Sequence, residues 1–497
     1  MPRARKTLLF SLAVGLLGAL VALMPPVAAL EEDLGLHLLF RWRGVRPAPA
    51  DVVVVALDRQ SSKQLDLPME PRLWPRSVHA RLIERLTAAG AALIVFDLIF
   101  NEPQSTETDQ ALAQAIGRAG NVILTQSLVD ETMALADAQG NLAAQVNIEK
   151  TVPPLALLAG AAQAQAPFPL PKVPIKLSRY WTFRPGAGDA PTMPVTAFYG
   201  FAPATHRALV DLLRATTPAA ASLAVPGRGV AAPDALTAAI ERLRALSLKE
   251  SDLGSRLMDA LAQGPAAGGA NSSVRSLRSM IRLNADDNIR YLNYYGPAGT
   301  IRTLAYYQLM QASPEALAAL DLEGKAIFVG QTESYWPKAK DGFYTVYARP
   351  EAVDISGVEI AATAFANLLE DNPVTPAGLP LHLAVVGLWG VGVTALCLRL
   401  PSAASAGVIV LLAGLYAIVA RMQFSAAGLW LPMVLPLFIL CPAIYFTALI
   451  RNFYAASQER RVIRRAFGYF LPNNIVDQLS KNIQTLRADH RVVFSIC

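Results

Sequence analysis

The sequence predicts a mixed, partly parallel α/β domain with flanking helices, joined to four transmembrane α-helices and followed by a basic helix. Three observations lead there. Four uncharged apolar runs have the roughly 20 residues needed to cross about 30 Å of hydrocarbon, one near the amino end and three close together near the other. Between them, strand, helix and strand patterns recur in the order of βαβ units. Finally, 53% of the 497 residues are hydrophobic and only 16% charged, which is too apolar for an ordinary soluble chain.

Residues 1–6, "MPRARK", carry Arg3, Arg5 and Lys6 and favour a cytoplasmic amino terminus by the positive-inside rule. Residues 7–30, "TLLFSLAVGLLGALVALMPPVAAL", form the first candidate span. They read either as a retained anchor or as a cleaved signal peptide, since "VAAL" resembles a small-residue cleavage site; on both readings residues 31–378 are exported. The other runs are residues 379–398, 403–420 and 428–450, with short polar joints "RLPS" and "RMQFSA". Alternation from an anchored first helix puts residues 451–497 inside, and Arg451, Arg460, Arg461, Arg464 and Arg465 agree. Cys397 and Cys441 lie within apolar runs and Cys497 is the last residue, so no disulfide framework is predicted for the exported region. The net charge of +6 would suggest nucleic acid if it formed one patch, but many basic residues flank apolar segments. Membrane lipids, not nucleic acid, are the expected partners.

Within the exported region, "DVVVVAL" (51–57) reads as a buried strand closed by Asp58. "WPRSVHARLIERLTAAGAALIVFDLIFNEP" (74–103) follows. Val78, Leu82, Ile83 and Leu86 give a helix face, Gly90 can end the helix, and "ALIVFDLIF" is a second strand. "DQALAQAIGRAGNVIL" (109–124) repeats the pattern, so the sheet is at least partly parallel with right-handed crossovers. Residues 152–286 are rich in Ala and Pro, contain the glycine-rich "QGPAAGGANSS", and read as a helical elaboration in which no chemistry stands out. "NIRYLNYYGPAGTIRTLAYYQLM" then gives a strand, a turn and a helix, "LEGKAIFVGQT" a strand, and "ISGVEIAATAFANLLED" a helix. That last helix leads within a few residues into a membrane span, a geometry suited to passing a small displacement into the bilayer.

Asp58 and Asp97 close strands at their carboxyl ends, where open α/β sheets bind ligands, and Arg76 can supply a charge-assisted bond to an anion. With His79 and Glu102 they form one candidate ligand-sensing group, whose plain alternative is capping and local ion pairing. His79, a lone histidine at a helix start, is more in keeping with a structural role than with metal binding. Tyr291, Tyr294 and Tyr295 can line a pocket or simply pack; "GPAGT" lacks the lysine of a phosphate loop. No zinc spacing or nucleophile elbow is recognisable, so the exported domain is not expected to be an enzyme.

Taken in order, "DVVVVALD", "WPRSVHARLIERLTAAGAALIVFDLIFNEP", "LNYYGPAGTI", "LEGKAIFVG" and "GVEIAATAFANLL", followed by three spanning helices, resemble the CHASE2 family of extracytoplasmic bacterial sensor domains. The resemblance implies a multi-pass protein of the bacterial inner membrane with a periplasmic α/β input domain and an unknown periplasmic ligand. "RNFYAASQERRVIRRAFGYFLPNNIVDQLSKN" is similar to the linker before class III adenylate/guanylate cyclase domains, in which the next strand carries a phenylalanine followed by a metal-binding aspartate. Here "RVVFSIC" supplies Phe494 and no aspartate. The expectation is therefore the input half of a cyclase making cyclic nucleotide from ATP or GTP. This chain would have no catalytic residue and no cofactor of its own, Mg or Mn serving only the missing cyclase domain. The alternative is a stand-alone, non-enzymatic CHASE2 receptor acting through a partner; a kinase output is disfavoured by the linker. Cyclase sites of this class form between two subunits, so a homodimer is implied. Val462, Ile463, Ala466 and Phe467 are the candidate apolar face of its signalling helix, and the neighbouring arginines can meet anionic lipid.

Overall fold

The structure is a computed structural model and describes residues 3–136, 142–170, 176–223, 225, 234–263, 272–332, 342–348 and 354–467. The chain divides into two compact units, one made of residues 36–376 with 423–430, the other of the remaining described residues.

The first unit is built on a sheet of seven strands: β1 (Val52–Leu57), β2 (Leu93–Asp97), β3 (Val122–Ala136), β4 (Leu142–Val152), β5 (Ala164–Pro167), β6 (Thr303–Ala305) and β7 (Ala326–Gln331). Five lie in the order β6-β1-β7-β2-β3 and all five are parallel. The start of β3 also pairs with β5 in parallel, whereas beyond Ser127 it runs antiparallel to β4, so the sheet is mixed. β7, read in the sequence as one more strand, sits between β1 and β2, with Val55 opposite Val329 and Val329 opposite Phe96.

Alternation along the strands explains the unbroken apolar runs. Val52 and Val54 of β1, Leu93 and Val95 of β2 and Phe328 of β7 face one hydrophobic layer; Val53, Val55, Ile94, Phe96 and Val329 face the other. A strand buried on both sides has no polar position to spare. The second layer holds α1 (Arg76–Ala88) and α2 (Thr106–Ala119). α1 buries Val78, Leu82, Ile83 and Leu86 as the spacing predicts, and Gly90 follows it at φ +77°. α2 starts where the Ser105 hydroxyl accepts from the Thr108 amide and stops at the left-handed Gly120.

The first layer is supplied largely by the Ala/Pro-rich segment. α3 (Met193–Phe201), α4 (Pro203–Thr216), α5 (Ala235–Lys249), α6 (Leu253–Gln263) and α7 (Ser272–Ala285) share one core with α8 (Gly357–Glu370). Phe198, Leu209, Ile240, Leu257 and Met280 are all buried in it. The elaboration is thus an integral face of the domain. At roughly 25 cal/mol per Å² of apolar surface, side chains of this size stabilise by about 1.5–3 kcal/mol each.

In the second unit, Leu379–Arg399, Ser402–Ala427 and Val434–Tyr454 are long and apolar enough to cross a membrane. Thr7–Ala22 and Pro25–Arg43 qualify together, bent by 77° where Pro25 and Pro26 break the helix. The Arg3–Ala22 helix lies very close to Leu379–Arg399. A Cβ on Gly15 would stand 2.6 Å from the Gly387 carbonyl oxygen, and one on Gly390 would stand 3.0 Å from the Gly15 Cα, so small residues set this approach. The last span begins its helix at Val434 and runs on through Phe467. Leu429 and Trp430, at the start of the apolar run, form a short parallel bridge with Thr375 and Pro376.

Candidate functional site

Three passages of the chain leave the first unit for apolar helices: residues 36–46, residues 370–376, and the turn 423–430 that precedes the last helix. All three meet around Arg43. Its guanidinium donates to Asn293 Oδ1 and to the Tyr294 carbonyl, each at 2.6 Å, and stacks over Phe40 and Phe424 at 4.7 and 4.9 Å. The stack and the fork of donors both require a planar cation.

Asn293 is the hub. Its amide N–H donates to Asn367 Oδ1 at 2.8 Å, its carbonyl accepts from Asn367 Nδ2 and Arg46 Nη2, and its Nδ2 donates to the Asn372 carbonyl. Arg46 lies 4.0 Å above the Tyr295 ring and pairs with Glu370 at 3.4 Å, and the Tyr295 hydroxyl donates to the same carboxylate at 2.7 Å. Burial, reinforced by Glu370, holds the Tyr295 phenol well above its ordinary range. Beyond it, Trp430 meets Tyr291 edge-on at 5.5 Å, and the Thr375 amide donates to the Gly428 carbonyl at 3.0 Å. Gly428 has φ +64°, and a Cβ there would lie 2.4 Å from the Pro373 oxygen, so the turn demands glycine. Hydrogen bonds and ring contacts thus join the end of α8, Asn293, Arg43 and the Phe424 turn in one continuous network.

The sequence-predicted residues fall in two places. Asp58 and Asp97 stand at the same end of the sheet on either side of β7, where Leu57 faces Gln331 and Asp97 faces Gly330. Asp58 caps the Arg59–Gln64 helix by accepting from the Ser61 amide at 2.7 Å. Arg76 is buried and pairs with Asp109 at 2.5 Å, while donating to the Glu102 carbonyl; the Glu102 side chain is exposed. His79 is 1% exposed, stacked on Trp74 and ringed by Phe96, Phe100 and Tyr306. Tyr306 spends its hydroxyl proton on the Val78 carbonyl, so His79 Nδ1–H is the donor to Tyr306 at 3.1 Å. Burial, then Arg76, lowers the His79 pKa to about 3 and keeps it neutral.

Tyr294 and Tyr295 belong to the Arg43 junction, both buried, with the Tyr294 hydroxyl donating to the Leu177 carbonyl at 2.7 Å. The side chains of Val462, Ile463, Ala466 and Phe467 lie outside the described residues. Sequence reasoning passed over Arg43, Asn293, Asn367 and Phe424, whose one signal is "RWRGVR", basic and aromatic residues directly after an apolar run. It also missed Asp109, and Glu31. In the second unit Glu31 is 3% exposed and accepts from the Met433 and Leu435 amides, both at 2.8 Å, which satisfies orphan donors at the start of the last helix.

A mixed α/β domain that holds, through its own side chains, the chain leading into a set of apolar helices has the architecture of a membrane receptor. The sequence matches the family described as the CHASE2 domain over residues 12–398, and the chain belongs to that family, a class of sensor domains. No curated protein and no solved structure matches the chain.

Proposed function

We propose that this protein is a receptor of the bacterial inner membrane whose periplasmic domain, residues 31–378, governs a class III adenylate or guanylate cyclase domain beyond the last helix. The observation that carries the reading is the Arg43 junction, because it ties the end of α8 to the turn just before that helix. The helix then runs unbroken from Cys441 through Arg451 to Phe467, so a rotation or shift at its start reaches its far end. Four spans follow if residues 7–30, within the bent pair Thr7–Ala22 and Pro25–Arg43, make the first crossing. The fit of Gly15 against Gly387 supports a retained anchor, and the arginines after Ile450 support a cytoplasmic output. Two copies would pair along the 441–467 helix, and the magnesium or manganese of the reaction would be held by the cyclase domain. A cue can shift output only by binding two arrangements with different affinity.

The test joins a class III cyclase domain to the chain after its linker and measures cyclic nucleotide in cells. Deleting residues 51–370 and substituting Arg43→Ala should each change output in the same direction. Output indifferent to both would overturn the proposal.

A further inference from the structure

Beyond the Pro25–Pro26 break the chain stays helical to Arg43, through six α-helical residues, six in the π-helical segment Glu31–Leu36, and seven more α-helical ones. This stretch turns 77° away from Thr7–Ala22. At 1.5 Å per residue, roughly 28 Å of helix then advances only about 6 Å along the axis of the helix before it. A helix set at that angle to a spanning one does not cross the bilayer a second time. It runs along the surface, where amphipathic helices sink their apolar side about 5–10 Å into the boundary of headgroups and acyl chains.

The two sides of this stretch differ. Leu36, Leu39 and Phe40 are buried, Phe40 against the rings of Tyr294, Tyr347 and Phe424. Leu30, Leu34, Leu38 and Trp42 recur at every fourth residue and are 37–49% exposed. In a pure α-helix each step of four advances about 40° around the axis. The π-helical segment turns less per residue and offsets part of that advance, which keeps the four side chains in one stripe. The stripe continues the exposed apolar surface of the first helix, where Leu16, Leu17 and Leu20 lie. At its far end stands Trp42, of the residue type that concentrates where acyl chains give way to water.

Cations gather beside the stripe. A small cleft of about 170 Å³ is lined by His37, Arg41, Val45, Pro297 and Tyr347 among others, and no lining residue is acidic. Arg41 is exposed. The Leu177 amide donates to the Tyr344 carbonyl at 2.7 Å, and the Lys176 ammonium stands 6.0 Å over the Tyr344 ring. Lys176 and Arg41 both act electrostatically on His37. On the amino side, Asp33 stands one turn before His37. Apolar side chains beside fixed cations complement the two parts of an anionic phospholipid, acyl chain and phosphate. A two-fold pairing of two chains through the stripe would gather like charges around it. We propose that Pro25–Arg43 lies along the bilayer surface, with Leu30, Leu34, Leu38 and Trp42 among acyl chains and with Arg41 and Lys176 holding the phosphate of an anionic phospholipid. The proposal rests on the first helix crossing the membrane, as in the function proposed above, and is independent of any cyclase.

Nitroxide labels test the placement in the full chain, reconstituted in mixed phosphatidylcholine–phosphatidylglycerol bilayers with the three native cysteines replaced by alanine. Leu17→Cys, Asp33→Cys, Leu34→Cys and Leu38→Cys carry the label one at a time, all at positions on the surface of the protein. Labels at 34 and 38 should relax with oxygen, as the label at 17 does, and the label at 33 with a water-soluble nickel chelate. Labels at 34 and 38 that meet nickel as readily as the one at 33, or that are shielded from both reagents as a second copy or a partner protein would shield them, would overturn the proposal. If the label at 17 meets nickel too, the first span itself fails; if 17 lies in lipid and 34 does not, this inference alone fails. In the unlabelled protein, Trp42 emission, taken as the difference between parent and Trp42→Phe, should be quenched more by brominated phosphatidylglycerol than by brominated phosphatidylcholine. That preference should fall roughly fivefold in each of Arg41→Gln and Lys176→Gln, the share expected of one cation at an anionic surface. Equal quenching by the two lipids, or a preference unchanged in both variants, would overturn the headgroup contact.

Discussion

The carboxyl end of the sheet and the Arg43 junction are both dense in charged and aromatic groups, yet they close over very different lengths of chain. Arg76 finds Asp109 after 33 residues and Asp58 finds Ser61 after three. At the junction, Arg43 reaches Asn293 across 250 residues and Arg46 reaches Glu370 across 324. The first arrangement pairs Arg76 and Asp58 within the stretch from β1 to α2 and holds that stretch together, with His79 and Tyr306 as a longer tie across 227 residues. The second joins passages that have no other reason to lie together, and these passages lead into apolar helices. Short-range pairing of charges stabilises its own stretch, and long-range pairing at the junction holds distant passages together.

That contrast can be broken from either side. The largest effect should come from Asp109→Ala, which leaves the Arg76 cation buried and unpaired at a cost of about 3–5 kcal/mol. Hydrogen exchange of β1 and β2 amides in the intact protein should show it as a general loss of protection. Arg43→Ala removes two charge-assisted hydrogen bonds and the ring stack, about 2–3 kcal/mol. Arg43→Lys should recover little of it, because an ammonium cannot form the planar fork. Here exchange should rise at residues 291–295 and 424–430 and leave β1 and β2 unchanged.

His79 sharpens the comparison by pH. The unfolded chain takes up its proton near pH 6.5 and the folded domain refuses it until about pH 3. Its contribution is therefore constant above pH 6.5 and stability is lost as the pH falls below that value, by roughly 2 kcal/mol at pH 5. His79→Phe should reduce the slope by about half, because the buried His206, its pKa lowered to about 4, supplies the rest with the same sign, as measured by denaturant unfolding at several pH values; junction variants should keep the whole of it. The most local effect is expected of Gly428→Ala. A left-handed non-glycine residue costs about 1–2 kcal/mol, and the Cβ displaces Pro373. Faster exchange at the Thr375 amide alone would mark it.

Much of this fold is legible from periodicity. Valines that alternate between two layers read as a buried strand, and Ser105, Gly90 and Gly120 mark helix ends by rules that act over four or five residues. The place of β7 between β1 and β2 is set by contacts more than 200 residues apart in sequence, which no local pattern encodes. The same limit hid the junction. Asn293 reads as one polar residue between tyrosines, and its meaning comes from Arg43, Asn367 and Asn372. The Ala/Pro-rich segment reads as an elaboration because its helices serve to cover one face of the sheet, a role that rests on apolar packing and not on a recognisable motif.

The most direct measurement compares amide exchange in the intact, membrane-reconstituted protein before and after Arg43→Ala, read at the Met433 and Leu435 amides held by Glu31. If the junction conveys the state of the α/β domain to the last helix, both amides should exchange faster while β1, β2 and β7 keep their protection. If those two amides are unchanged while residues 424–430 loosen, the last helix does not sense the junction, and the central claim is contradicted.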